Sequence, residues 1–179
     1  MNPKIRQQLD EVDEQLQQLV SRLSRYSEED LNRKPSDKEW SVMQVMVHLR
    51  MAEFYTKAYM EKKLSDGNIP RKNSLKGKII PILYPLLFNA PLKVKAPALI
   101  GDEVLPEKSS FWDVTKQWKQ QRADLRTYVK ALTDRQLKSE IYKHPIFGRS
   151  DAFAMLKFYK LHTERHTKQI NRLLSYYKC

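Results

Sequence analysis

Two histidines, His162 and His166, stand four residues apart in a segment whose apolar residues recur at helical spacing. Four residues correspond to about 400° of rotation in an α-helix, so both rings project from one face about one turn apart. Imidazoles at this spacing can bind one metal ion, and imidazole suits zinc, nickel, copper and iron. Such a pair is more often a surface feature without function, so the spacing alone does not establish a site.

The surrounding positions place the histidine pair on the buried side of its helix. The pair continues an apolar stripe that comprises Met155, Tyr159, His162, His166, Ile170 and Leu173. A third histidine, His48, falls on the apolar face of another predicted helix. Buried imidazoles need polar partners, so these three residues predict one shared site for a divalent metal ion. The alternative is that each is a core histidine that hydrogen-bonds a backbone carbonyl or a tyrosine.

The predicted site has the character of a catalytic one, because three histidines leave positions open on an ion. An open zinc or nickel ion lowers the pKa of a bound thiol, and the same ion could activate water. Hydrolysis lacks an obvious general base, since Thr163 stands where a zincin carries glutamate. Glu164 is about 200° from His162 around the helix and is expected to face away.

Four further residues are candidates for the surroundings of the metal: Glu53, Tyr55, Tyr159 and His144. Glu53 lies five residues after His48 and is a weak candidate for supporting a ligand, so a surface or capping role is expected instead. Tyr55 and Tyr159 are expected to be core residues, with a hydrogen bond near the metal as the alternative. His144 precedes a proline and is expected in a turn or loop, where it could also line the mouth of the site.

Four long amphipathic segments must position these residues. They are predicted at 3–25, 41–64, 110–131 and 150–174, with Ser110 and Ser150 as the caps of the last two. Few glycines, the lack of a convincing strand and the lack of an internal repeat point to an all-α protein. The sequence therefore predicts a four-helix bundle.

An irregular, proline-rich insertion at about 69–106 separates the second and third predicted helices. Its prolines Pro81, Pro85, Pro91 and Pro97 would break any long helix. We expect one short apolar helix around 78–88, packed over one end of the bundle, within a long crossover connection. Basic residues flank the apolar run 79–92, a pattern that fits either a segment that meets a membrane or partner, or a lid over the site.

Composition limits the classes of partner. Thirty-three Lys and Arg against twenty-one Asp and Glu give a formal charge of +12. These cations are not gathered into one tract, so nucleic acid is not an expected partner, whereas a small anionic substrate or an anionic membrane stays open. The length fits a single domain over 1–179, and a homodimer through helix faces is a reasonable expectation.

The sequence predicts a cytoplasmic protein. No stretch reaches the about 18 uninterrupted apolar residues that a membrane span needs. The first residues turn polar at once and lack an apolar signal core. The single cysteine, Cys179, cannot form an intramolecular disulfide, which agrees with a reducing compartment.

Three motifs together resemble the DinB-like superfamily. Residues 40–49, WSVMQVMVHL, resemble the start of its second helix, where a Trp-Ser pair precedes a histidine ligand in an HL step. Residues 144–148, HPIFG, resemble its HP-x-FG turn before the last helix. Residues 162–170, HTERHTKQI, resemble its H-x-x-R-H-x-x-Q-I signature. The motifs occur in the expected order, and the resemblance covers nearly the whole chain.

The resemblance implies a four-helix bundle with a metal site carried by His48, His162 and His166. Some branches of the superfamily attach low-molecular-weight thiols such as bacillithiol, mycothiol or glutathione to electrophiles, whereas many members have no assigned reaction. The leading hypothesis is therefore a thiol transferase that depends on zinc or nickel and takes a small thiol and an electrophile as substrates. The alternatives are a non-catalytic or stress-related metal-binding protein and a metal-dependent hydrolase.

Overall fold

Helices account for most of the protein in the computed structural model, which describes residues 1–65, 71–72, 74–89, 97–144 and 148–176. The helices are α1 (Pro3–Leu23), α2 (Glu28–Asn32), α3 (Val42–Ser65), α4 (Leu75–Asn89), α5 (Phe111–Ala131), α6 (Asp134–Leu137) and α7 (Ala152–Ser175). A short 3-10 helix spans Ala98–Ile100, and two strands, β1 (Tyr142–His144) and β2 (Gly148–Ser150), follow α6. Cys179 lies outside the described residues.

The four long helices α1, α3, α5 and α7 form the predicted all-α bundle. α1 contacts α5 and α7, and α3 contacts the same two helices. The first two bundle helices therefore face each other diagonally, and the connection from α3 to α5 is the predicted crossover. Their buried stripes fill the space between them, with Leu9, Trp118, Met155 and Ile170 almost fully buried. Burial of these apolar side chains drives the packing of the four helices.

Helix starts follow the sequence closely, with one correction. The Ser110 side chain accepts from the backbone N–H of Asp113, as a capping residue does. In α7 the capping residue is Asp151, whose carboxylate accepts from the backbone N–H of Ala154 at 2.9 Å. The prediction of Ser150 was wrong, because Ser150 is the last residue of β2 and its backbone pairs with Tyr142.

The helix α4 is longer than predicted and continues through Pro81 and Pro85. A proline inside a helix loses one backbone hydrogen bond but keeps a helical φ angle. Packing offsets that loss here: α4 lies against α7, Tyr84 is only 1% exposed, and the Phe88 ring lies 5.7 Å from the Phe158 ring. No helix in the described ranges is long and apolar enough to cross a bilayer.

The turn expected around His144 is part of a small antiparallel hairpin. Tyr142 pairs with Ser150, and His144 pairs with Gly148, which has a φ of +83° that favours glycine. The expectation that the chain lacks strands was wrong for these six positions. Strands of three residues are too short to produce a detectable alternation in the sequence.

Candidate metal centre

The first turn of α3 fixes the position of His48. Ser41 and Gln44 form a reciprocal cap: the Gln44 N–H donates to the Ser41 side chain at 3.1 Å, and the Ser41 N–H donates to the Gln44 side chain at 3.0 Å. Because the helix starts here, His48 falls almost two turns inside, in a stretch where every residue from Val42 to Leu49 is buried on all sides of the helix. His48 itself is 4% exposed.

The pair His162 and His166 lies on the opposite wall, in α7. Both are partly buried, and the neighbours Tyr159 and Ile170 along the same stripe are almost fully buried. The contact between α3 and α7 brings the pair to His48.

The three rings meet through their Nε2 atoms. Nε2 of His162 lies 3.3 Å from Nε2 of His48 and 3.1 Å from Nε2 of His166. One ring nitrogen from each of the three lies within 4.8 Å of the other two. Nitrogens that share one ion at about 2.0–2.1 Å are separated by about 3.0–3.4 Å when they occupy adjacent positions. These residues could hold a divalent metal ion.

Two of the rings are held by hydrogen bonds through the other nitrogen. His48 Nδ1–H donates to the Ile100 carbonyl at 2.8 Å, and His166 Nδ1–H donates to Gln169 Oε1 at 2.8 Å. A proton on Nδ1 of a neutral ring leaves a lone pair on Nε2. Both lone pairs therefore point to the centre of the cluster, as in metal-binding histidines.

The surroundings keep these imidazoles neutral. Burial lowers the pKa of His48, although the hydrogen bond to Ile100 opposes this effect. Burial lowers the pKa of His166 to about 3. Burial and, after it, the nearby His166 and His48 lower the pKa of His162 well below its usual value. A cluster of neutral rings suits a cation, because neutral imidazole is the form that binds metals.

Proton counting supports the same conclusion. Nε2 of His162 contacts two other Nε2 atoms but can carry at most one proton. Since Nδ1 holds the proton in both His48 and His166, their Nε2 atoms can only accept, and at least one of the two contacts with His162 lacks a linear hydrogen bond. A divalent ion at the centre would satisfy all three nitrogens, so the residues fit a metal.

Aromatic rings surround the cluster. The Phe158 ring stacks on His162 at 4.9 Å with an interplanar angle of 19°. The Trp40 ring lies 5.0 Å from His48, and the Phe88 ring of α4 lies 6.3 Å from His162. Apolar walls of this kind lower the local dielectric and limit the access of water.

Glu53 is not on the surface, where the sequence placed it. Its carboxylate is buried between helices and accepts hydrogen bonds from Trp118 Nε1 at 2.8 Å and from both Nε and Nη2 of Arg122. Such a bidentate pair neutralises the buried charge. Tyr159 is also buried, and its hydroxyl donates to the backbone carbonyl of Glu53 at 3.1 Å.

The other two candidates lie in different surroundings. Tyr55 is 40% exposed and packs against Phe54, so it is not the core residue that was expected. His144 is buried at the end of β1, and its ring lies 4.7 Å from Phe158, which also stacks on His162. Burial lowers the pKa of His144 to about 4.

Sequence reasoning missed the groups that orient and enclose the histidines. Gln169 belongs to the segment HTERHTKQI, and its position three residues after His166 is the spacing of a helical contact. Phe158 precedes His162 by four residues, which also predicts a contact on one face. The Ile100 carbonyl and Phe88 left no such signal, because both lie in the crossover, far from the histidines in sequence.

Comparison with known proteins agrees with the helical fold. A family model of the DinB superfamily matches residues 8–170. A similar solved structure is that of YfiT from Bacillus subtilis, with a TM-score of 0.58 and 16% sequence identity over 97% of this chain and 87% of that chain. YfiT is described as a probable metal-dependent hydrolase with an unusual four-helix bundle topology. No curated protein matches the chain.

At 16% identity, the likeness to YfiT shows the fold alone. The family match is the stronger result, because it spans most of the chain and includes all three clustered histidines. The protein belongs to the DinB superfamily.

Proposed function

We propose that this protein binds one divalent ion, zinc or nickel, through Nε2 of His48, His162 and His166. The observation that carries the proposal is the meeting of three neutral imidazoles at distances of 3.3 and 3.1 Å around a nitrogen that can hold only one proton. The hydrogen bonds from Nδ1 to Ile100 and Gln169 support it, because they direct two lone pairs to the same point.

We further propose that the centre catalyses transfer of a low-molecular-weight thiol to an electrophile. A bound divalent ion would supply positive charge that lowers the pKa of a thiol in the site. The thiol sulfur forms a bond to the electrophilic carbon, the S–H proton passes to solvent, and the leaving group departs with its bonding electron pair. Phe158, Phe88 and Trp40 would shield the reacting thiol from water.

The side chains near the cluster favour a thiol over water as the nucleophile. Activation of water is helped by a general base, and the carboxylate of Glu53 is engaged by Arg122 and Trp118. Thr163 occupies the position of the zincin glutamate, and Glu164 is exposed. A thiol has an ordinary pKa of about 8.5 and needs less help to ionise near neutral pH.

Hydrolysis is the second candidate. Its support is YfiT, which shares the fold and is described as a probable metal-dependent hydrolase. A metal-binding protein without catalysis is the remaining alternative, and the activity assays described below distinguish it from both enzymes.

Metal analysis tests the binding site directly. Protein purified without a histidine tag should contain about one zinc or nickel ion per chain. His48→Ala, His162→Ala and His166→Ala should each lower metal affinity steeply, whereas His144→Ala should have a much smaller effect. A stoichiometric ion in the triple His→Ala variant would show that the metal lies elsewhere.

Activity assays distinguish the two reactions. Bacillithiol, mycothiol and glutathione should each be tested with a haloalkyl or bimane electrophile, and the same preparation with ester and amide substrates. Metal-dependent consumption of one thiol that is lost in His162→Ala would support transfer. Metal-dependent hydrolysis without thiol consumption would favour the second candidate, and a loaded protein inactive in both assays would favour the third.

A further inference from the structure

The helix α4 is apolar on two opposite faces. Its inner face packs on the protein through buried Tyr84 and partly buried Ile80 and Phe88. Its outer face is exposed to solvent: Leu75 at 77%, Ile79 at 55%, Ile82 at 69%, Leu83 at 46% and Leu86 at 73%. These five positions follow the helical repeat and form one continuous stripe. A helix that is apolar all round is normally buried on both sides.

A contiguous stripe of this kind indicates a binding surface. Single exposed apolar residues are common on soluble proteins, whereas contiguous apolar patches mark sites of interaction with a protein or a membrane. The exposed fractions show that no described part of the chain covers this face. The occupant must therefore come from outside the described residues.

The segment that carries the stripe is basic. Residues 71–101 contain six Lys and Arg and no Asp or Glu. Lys78 on α4 is exposed, and so are Lys143 and Arg149 on the hairpin, whose strand β2 contacts α4. Glu140, an acid near the start of α4, is buried and paired with Arg71.

The hairpin places two cations opposite each other. Lys143 and Arg149 are directly paired across the two strands, so both side chains lie on the same face. Like charges opposite each other destabilise a hairpin. Among the described residues, neither cation forms an ion pair. An anionic partner that meets this face of the hairpin would offset their repulsion.

We propose that the outer face of α4, together with Lys78, Lys143 and Arg149, docks on the surface of an anionic lipid bilayer. The aliphatic stripe would enter the boundary between headgroups and acyl chains while the cations meet the headgroup charge. A second copy of this chain fits less well, because an isologous contact would bring the same cations together. Nucleic acid also fits poorly, since the stripe offers no aromatic ring for stacking on bases.

Docking goes beyond the proposed function and does not require a metal ion. A consequence of docking for the metal site does rest on the proposed function. Arg165 Nη1 donates to the Phe88 carbonyl at 3.0 Å, so α4 forms one wall beside the histidine cluster. A bilayer on the outer face of α4 would thus lie close to the centre and could deliver apolar electrophiles to it.

Vesicle flotation of the full-length protein tests the proposal. We expect flotation with vesicles in which about one third of the lipid is phosphatidylserine, and at least about tenfold weaker binding to pure phosphatidylcholine. The double variant Ile82→Ser and Leu86→Ser should lower binding to the anionic vesicles at least about tenfold. Trp112→Ser is the matched control, since Trp112 is 63% exposed on α5 and its removal should leave binding unchanged.

A second pair of variants tests the charge. Lys143→Gln with Arg149→Gln should weaken binding about tenfold or more, because each cation near an anionic surface contributes about fivefold. Lys116→Gln with Lys119→Gln removes the same charge from exposed positions of α5 and should change binding little. Circular dichroism of each variant verifies the helical fold.

Fluorescence of a polarity-sensitive dye at Ile82→Cys, in a Cys179→Ser background, should shift to the blue with anionic vesicles in the otherwise unchanged protein.

Four results would overturn the proposal. They are the absence of flotation with anionic vesicles, equal binding to neutral vesicles, equal loss in the α5 controls, and a dye at Ile82→Cys that does not respond. A dimer in sedimentation that Ile82→Ser and Leu86→Ser convert to a monomer would instead assign the stripe to a second copy. Metal content is measured separately, so loss of docking and loss of the metal site remain distinguishable.

Discussion

The orientation of His166 depends on one neighbouring side chain. Its Nδ1–H donates to Gln169 Oε1 at 2.8 Å, which keeps the Nε2 lone pair directed at His162. Groups that hold a ligand histidine in this way contribute about ten- to a hundredfold to metal affinity. We therefore predict that Gln169→Ala lowers the affinity for zinc by about that factor while the fold is kept. Competition with a chromophoric chelator measures the change.

Two variants make this prediction specific. Gln169→Glu keeps an acceptor for the His166 N–H and should retain most of the affinity. Gln120→Ala removes an exposed glutamine that donates to Asp124 on α5, so it should leave the affinity unchanged. If Gln169→Ala bound zinc as tightly as the wild type, His166 would need no support from this side chain.

At the residue scale, periodicity predicts which side chains point inward but not what they meet. The inward placement of His48, His162 and His166 follows from helical spacing alone. Glu53 also faces inward, yet its burial is tolerable only because Arg122 reaches it from another helix, 69 residues away in sequence. Long-range pairs of this kind depend on the packing of the helices, which no local pattern contains.

At the element scale, the burial of His144 in the hairpin leads to a prediction about how stability depends on pH. Burial lowers the pKa of His144 to about 4, from about 6.5 in an unfolded chain. The unfolded state therefore binds the proton first. The contribution of neutral His144 to the free energy of unfolding is complete above about pH 6.5. It is lost progressively as the pH falls to about 4, and the total loss amounts to about 3 kcal/mol at most. His144→Phe should make this acid loss shallower, measured by urea unfolding of metal-free protein from pH 7 to about 4.

The comparison isolates His144, because the other three histidines remain in both proteins. Lys143→Met is the control, because this neighbour is exposed and its replacement should not alter the pH dependence. An unchanged acid loss in His144→Phe would mean that His144 takes up its proton without a cost to the fold.

Elements also differ in how far the sequence determines them. The long helices have caps and stripes that extend over several turns, so their boundaries were predicted within a few residues. The helix α4 exceeded its prediction, because packing against α7 sustains it through Pro81 and Pro85. The hairpin escaped prediction because its six residues are held by pairing and burial rather than by a pattern of their own.

At the scale of the whole molecule, the histidine cluster bridges two helices that are distant in sequence. His48 on α3 and His162 on α7 are separated by 114 residues. Both helices also contribute buried apolar residues to the core above and below the cluster. The apolar core continues beyond the cluster in both directions, with Leu16 and Trp118 in one part and Leu9 and Met155 in the other. The bundle therefore does not depend on a metal for its core, unlike a zinc finger.

This arrangement predicts a stabilising but dispensable metal. Zinc that binds the folded protein and not the unfolded chain should stabilise it by about 2.7 kcal/mol when free zinc is a hundredfold above Kd. Tm should rise with the concentration of free zinc, and chelation should lower Tm while the helical circular dichroism at room temperature persists. The triple variant of His48, His162 and His166 to Ala should show no shift with zinc, because the ligands that couple α3 to α7 are gone. An equal rise in Tm in that variant would mean that zinc acts elsewhere, and loss of helix on chelation would mean that the bundle needs the ion in order to fold.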